Sequence, residues 1–225
     1  MNPASAGSSL QQQGEQTRRG ILEAAVECAA RHGLEGLTIG HLAKETGMSK
    51  SGLFAHFGSK EDLQMATIDA AHRIFLKEVI EPTMHLEGGL PRLVSLMEQW
   101  LSYLERRVFP CGCFFAQCAL EFDTRPGRVH ERISTLLHSW LDLMESELRR
   151  AKIKRLLKRK SDPGQLAFEI AALMNQVNFH WQMWQEGEAF GRARKGIYDR
   201  LRDAATGTGR QVLKEMEKEG AGSSS

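Results

Sequence analysis

The chain has 225 residues, 41% hydrophobic and 26% charged, with a formal net charge of +2. This excludes a mainly disordered chain, a collagen-like fibre and a disulfide scaffold. No apolar run nears the roughly 20 residues of a membrane-spanning helix, and Met1–Gln16 lacks the apolar stretch of a secretory signal, so a cytoplasmic location is expected. The charge balance is too even to indicate nucleic-acid binding by itself, so any DNA-binding surface must be local.

Apolar residues recur at helical spacing along the whole chain, which predicts an all-α protein. A first helix is expected from Thr17 to His32, with Ile21, Leu22, Ala25, Val26 and Ala29 on one face and Gly33 as its stop. Thr38 opens a short helix that buries Ile39, Leu42 and Ala43 and breaks at Gly47. Ser49 caps another, carrying Leu53, Phe54 and Phe57, that ends at Gly58. Ser59, with Asp62 three residues on, opens a long helix bounded by Pro82. Further helices are expected over Pro91–Arg107, Gly112–Asp123 and Pro126–Lys154. Asp162-Pro163-Gly164-Gln165 is a strong start signal for another, running to about Glu186, and the last helix spans Ala189–Ala205. Residues 1–16 and 207–225 are expected to be a disordered tail and a C-terminal tail.

Thr38 to Gly58 thus reads as helix, Gly-containing turn, helix, the order of a helix-turn-helix. The second helix should expose Ser49, Lys50, Ser51, Ala55 and His56, small polar residues and one Lys suited to a major groove. Gly52 inside it costs roughly 1 kcal/mol against Ala, a cost that close approach to phosphate or base would justify.

The stretch Thr17–Leu63 resembles the DNA-binding domain of TetR-family transcriptional regulators. The resemblance rests on Thr17-Arg18, Ile21-Leu22-Glu23-Ala24-Ala25, Gly33, Leu37-Thr38, Leu42-Ala43, Gly47-Met48-Ser49, Leu53, His56-Phe57 and Ser59-Lys60-Glu61-Asp62-Leu63. It implies a three-helix DNA-binding domain over 17–63, followed by a larger helical ligand-binding and dimerisation bundle over 64–206. It also implies that Thr38 binds a phosphate, that Ser49, Lys50, Ser51 and Gly52 meet bases or nearby phosphates, and that His56 and Lys60 hold the DNA backbone. Phe54 departs from the pattern: it stands where the family usually has a Tyr whose hydroxyl reaches a phosphate. Ser51-Gly52 reverses a commoner Gly-then-polar order.

The resemblance further implies a homodimer on a palindromic operator, its C-terminal bundle binding a small apolar or aromatic effector whose occupancy changes the head spacing and releases DNA. Trp100, Phe114, Phe115, Cys118, Trp140 and Asn178 are the pocket candidates. Plain core for the aromatic residues and an interhelical hydrogen bond for Asn178 are the alternatives. Val177, Trp181, Trp184, Phe190, Ile197 and Leu201 are candidates for the dimer interface, against burial within one chain.

Other signals carry less. Cys111, Cys113 and Cys118 cluster, which suggests thiol-based redox sensing as the alternative function on the same scaffold. Arg149–Lys160 holds eight basic residues in twelve and reads as a solvated helix end. There is no glycine-rich phosphate loop, no G-x-S-x-G and no H-E-x-x-H, so no enzyme activity, catalytic residue, metal or cofactor is expected.

Overall fold

The computed structural model describes residues 3–222, with side chains described for 14–218. Ten α-helices follow in chain order: α1 (Pro3–His32), α2 (Ile39–Thr46), α3 (Lys50–Phe57), α4 (Lys60–Phe75), α5 (Leu90–Glu105), α6 (Phe114–Phe122), α7 (Arg128–Ile153), α8 (Pro163–Trp184), α9 (Glu188–Ala204) and α10 (Gly207–Gly222). The all-α expectation holds. No strand forms among the described residues; a single antiparallel bridge pairs Leu157 with Ala205.

Both ends differ from the sequence reading. Of the expected N-terminal tail, Met1 and Asn2 lie outside the described residues and the remainder belongs to α1. At the C-terminus, residues 207–222 form α10 where a tail was expected. Thr206 caps it, its Oγ1 accepting from Gly209 N at 3.2 Å. Leu213 is fully buried, and Gly209, Val212 and Met216 complete an inward stripe at helical spacing.

Contacts divide the chain into two compact units, residues 1–74 with 109–133, and residues 75–108 with 134–225. In the first, Ile21, Ala25, Ala29, Leu42, Leu53, Phe57 and Leu63 are buried, as the helical periodicity predicts; Leu34 and Leu37 of the turn before α2 join them, whereas Ile39, expected to be buried, is half-buried and Phe54 is exposed. This unit also takes in α6 and the start of α7, and polar contacts attach them. The Glu121 carboxylate accepts from Leu34 N at 3.2 Å and Glu35 N at 2.9 Å. Arg128 donates to Glu61 and Asp62, both at 3.1 Å, and Arg132 donates to Asp69 at 2.8 Å.

In the second unit, α8 packs on α9, and α10 on α5. α4 leads into a π turn at Leu76–Ile80 and a 3-10 turn at Glu81–Thr83 that contains Pro82. Buried Glu147 of α7 accepts from Gly89 N at 2.6 Å and from Arg92 at 3.3 Å, fixing the start of α5. Asp162 caps α8 as its sequence predicts, accepting from Gly164 N at 2.9 Å and Gln165 N at 3.3 Å.

Candidate nucleic-acid interface

Short-range hydrogen bonds shape the head. Thr38, in extended backbone, accepts from His41 N through Oγ1 at 3.1 Å and starts α2; Gly47, at φ 69°, ends it in the left-handed conformation. Ser49 repeats the device for α3, accepting from Gly52 N at 3.1 Å, and Gly58 at φ 73° closes that helix. Caps of this kind contribute about 1 kcal/mol each. Such contributions matter for helices of eight residues, too short to persist alone.

The cap also accounts for Gly52. A Cβ there would lie 3.1 Å from Ser49 Oγ, tighter than an ordinary contact, so the absent side chain protects the cap.

Leu53 and Phe57 face the core, leaving Lys50, Ser51, Phe54 and Ala55 exposed on the opposite side of α3. Lys50 lies over Gly40: the point where a Gly40 Cβ would sit is 3.7 Å from Lys50 Nζ and 3.9 Å from Thr38 Oγ1. The Lys50 ammonium and the Thr38 hydroxyl therefore share the N-terminal end of α2, where free backbone N–H groups and the helix dipole favour an anion. Thr38 Oγ1 accepts in the cap, and its O–H hydrogen is left to donate outward.

Arg18 is a residue that sequence spacing missed as a positioning group. Its guanidinium donates to the His56 carbonyl at 2.6 Å and lies 4.7 Å from the centre of the Phe57 ring, tying the end of α3 to α1. The His56 ring is half-buried beside Phe57. Lys60 is not a free cation: it donates to Glu35 at 2.8 Å, and Arg125 reaches the same carboxylate at 3.4 Å. The hydrogen bond from Lys60 holds the Glu35 carboxyl below its ordinary range. A cavity of about 260 Å³ opens beside this ion-pair set, lined among others by Gln64, Phe122 and His130; none of the predicted pocket residues lines it.

Those residues are distributed over the two units. Phe114, Phe115 and Cys118 are buried in the first, Phe114 and Phe115 with ring centres 5.6 Å apart. In the second, Trp100 is buried, Trp140 is half-buried against Phe75 at 5.4 Å, and Asn178 is half-buried on α8.

The residues singled out for the dimer interface differ in exposure. Val177, Phe190, Ile197 and Leu201 are buried within the chain, at 0–3% exposure. Trp181 is also engaged internally, against Phe190 at 5.4 Å and beneath Arg107 at 4.9 Å. Trp184 stays 52% exposed, with the Phe179 ring against it at 5.4 Å; Phe168, Phe179 and Met183 are further exposed residues of α8.

The cysteines are free thiols. Burial first, and the neighbouring Cys113 next, push Cys111 up to about 12, and burial raises Cys118 as well. Burial thus disfavours the thiolate form at both residues. Among the described residues, no three His, Cys, Asp or Glu are arranged to hold a metal ion. No described helix is long and apolar enough to cross a membrane.

Comparison with known proteins gives a consistent picture. Residues 21–66 match the family model for bacterial regulatory proteins of the tetR family, and residues 89–197 match a Tetracyclin repressor-like C-terminal domain. A 92-residue stretch is 48% identical to the HTH-type transcriptional repressor AcnR of Corynebacterium glutamicum, covering 40% of this chain and 43% of that protein. The match thus spans less than half of that relative's length. A TetR transcriptional regulator from Chloroflexus aurantiacus superposes with a TM-score of 0.80 at 20% identity, covering 86% of this chain and 98% of the other. AibR, solved in complex with isovaleryl coenzyme A and operator DNA, gives 0.62 at 21% identity, covering 80% and 95%. Likeness at such identities is one of fold.

Proposed function

We propose that this chain, which belongs to the TetR family of bacterial regulatory proteins, is a DNA-binding transcriptional repressor released from a palindromic operator by a small apolar or aromatic effector. The observation that carries the DNA-binding reading is the capped α2–α3 pair, with Thr38 and Lys50 sharing the N-terminal end of α2. In this reading, residues 17–63 form the DNA-binding head. α3 enters the major groove, with Ser49, Lys50, Ser51 and Gly52 leading. Thr38, Lys50 and the α2 amides grip one phosphate, with His56 beside the backbone. Lys60 must exchange its bond to Glu35 for a phosphate, which Arg125 assists by retaining the Glu35 charge in an ion pair.

Two copies supply two heads, and the palindrome mirrors their two-fold axis. The exposed α8 residues Phe168, Phe179, Met183 and Trp184 are the proposed contact between copies. The effector acts by binding one spacing of the heads better than the other. Phe114, Phe115 and Cys118 of the first unit are proposed effector contacts, as, separately, are Trp100, Trp140 and Asn178 of the second, and AibR supplies a precedent of this fold that holds both a small molecule and operator DNA.

The test is selection of fragmented DNA from the source genome by the purified protein at about physiological salt. Enrichment of one palindrome is expected, with binding to it weakened by Lys50→Ala. Lys60→Ala should weaken all sequences alike and lower the salt slope by about one. Recovery of DNA without any shared sequence overturns the proposal.

A further inference from the structure

The exposed face of α3 has an unusual vocabulary for reading DNA. Residues 50–57, Lys-Ser-Gly-Leu-Phe-Ala-His-Phe, include no Arg, Asn, Gln, Asp or Glu. Those are the side chains, with Lys, that pair in bidentate fashion with guanine or adenine, or accept from cytosine. The hydroxyls are partly committed: Ser49 Oγ accepts from Gly52 N and lies 3.1 Å from Ser51 Oγ. Lys50 leans toward Thr38 and the end of α2, where a phosphate belongs. What the middle of the face offers is apolar. Phe54 is 57% exposed, one turn beyond Lys50, and exposed Ala55 adjoins it. In the major groove, the apolar feature of a base edge is the C5-methyl group of thymine.

We infer that Phe54, with Ala55 beside it, reads thymine methyl groups, so that each half of the operator carries a thymine opposite the middle of α3. The inference rests on the DNA-binding reading above and deepens it: the specificity at that position comes from apolar contact with a methyl group, where a Tyr would carry a polar hydroxyl. A Phe ring laid along deoxyribose would stabilise binding equally on every sequence, and the experiment separates that arrangement from methyl reading.

The measurement uses the full-length protein and the palindrome recovered by genomic selection. Synthetic duplexes replace each thymine in turn by deoxyuridine, which removes the C5-methyl alone, symmetrically in both halves. Affinity is read by fluorescence anisotropy at fixed salt. Loss of one well-covered methyl weakens binding about fourfold, and loss in both halves about fifteenfold. We expect one or two thymines per half to show this effect. Phe54→Ala should bind thymine and deoxyuridine duplexes equally, and Phe54→Leu, which keeps an apolar side chain, should restore part of the difference. Equal binding of all deoxyuridine duplexes by the unaltered protein overturns the inference, as does a thymine preference that survives unchanged in Phe54→Ala. Absence of sequence-selective binding to any duplex is a different failure, that of the DNA-binding reading itself.

Discussion

Replacing Glu121 by Ala should loosen the turn that joins α1 to α2. The Glu121 carboxylate, from α6, receives Leu34 N at 3.2 Å and Glu35 N at 2.9 Å, and it covers Gly33, where a Cβ would lie 2.9 Å from Oε1. Hydrogen bonds to a charged acceptor contribute about 1.5–3 kcal/mol each when shielded from water. Leu34 is fully buried, so its amide has no water to replace the lost partner. Glu35 is exposed, so its amide finds water at little cost. The net loss is therefore nearer one bond than two, about 2 kcal/mol, and it converts to roughly thirtyfold faster local opening. Amide hydrogen exchange at Leu34 reads this directly, with the core amides of α5 as an internal reference. Glu121→Gln keeps one neutral acceptor oxygen and should fall between the native protein and Glu121→Ala. Operator affinity should drop by several-fold in Glu121→Ala because this turn sets the entry of α2, and with it the position of Thr38, the proposed phosphate contact. Unchanged exchange at Leu34 in Glu121→Ala would refute the reasoning, whatever happened to DNA binding.

Replacing Cys111 and Cys113 together by Ser should leave operator binding and its response to mild oxidants unchanged, and native Cys111 should alkylate far more slowly than a free thiol at pH 7.5; rapid alkylation would revive the redox alternative. His72 is held below its ordinary pKa by burial and then by Arg132, with Asp69 opposing and Arg73 adding, and its ring meets Phe115 edge-on at 6.2 Å. Because the unfolded chain then takes up the proton first, stability is full above the unfolded value of about 6.5 and is lost as pH falls toward the lower folded value; Tm measured from pH 7.5 to 5.5 should fall less in His72→Gln than in the native protein. Phe179→Arg should convert a dimer into a monomer in sedimentation at micromolar concentration with a protomer Tm changed by only a few degrees, and a persistent dimer would remove α8 from the proposed contact.

The DNA-reading head was legible in the sequence because its signals are local. Thr38, Gly47, Ser49 and Gly58 each act on backbone within three or four residues, so their spacing carries the structure with it. Asp162 before Pro163 worked for the same reason. The attachments of Glu121, Arg125, Arg128 and Arg132 to α4 and to the turn before α2 were not legible, since each joins a charged side chain to an amide or a charge dozens of residues away, among many equivalent surface charges. α10 escaped notice because glycines at 207 and 209 read as loop, although Thr206 is a good cap and Leu213 needs a buried place.

The division between the buried and the exposed apolar face of α8 could not be read from residue type, and the reason bears on the proposed contact between copies. From Ile170 to Trp184 the helix has no Asp, Glu, Lys or Arg. Leu166, Ala167, Ile170, Met174 and Val177 point into the chain and are buried. Phe168, Ala172, Phe179 and Met183 fall on a different stripe, and that stripe is exposed. A helix that is apolar on nearly every side is normally enclosed on every side. Here α9 covers one face of α8, and the exposed stripe spans four turns with neutral Asn175 and Gln176 between its apolar residues. Three large exposed apolar side chains on one stripe, with exposed Trp184 near its end, exceed what an isolated surface scatter would place there. A two-fold partner offering the same stripe would satisfy the helix with a self-complementary surface free of buried charge. Sequence periodicity finds both stripes and ranks neither; only the packing of α9 decides which one is left exposed and open to a second copy.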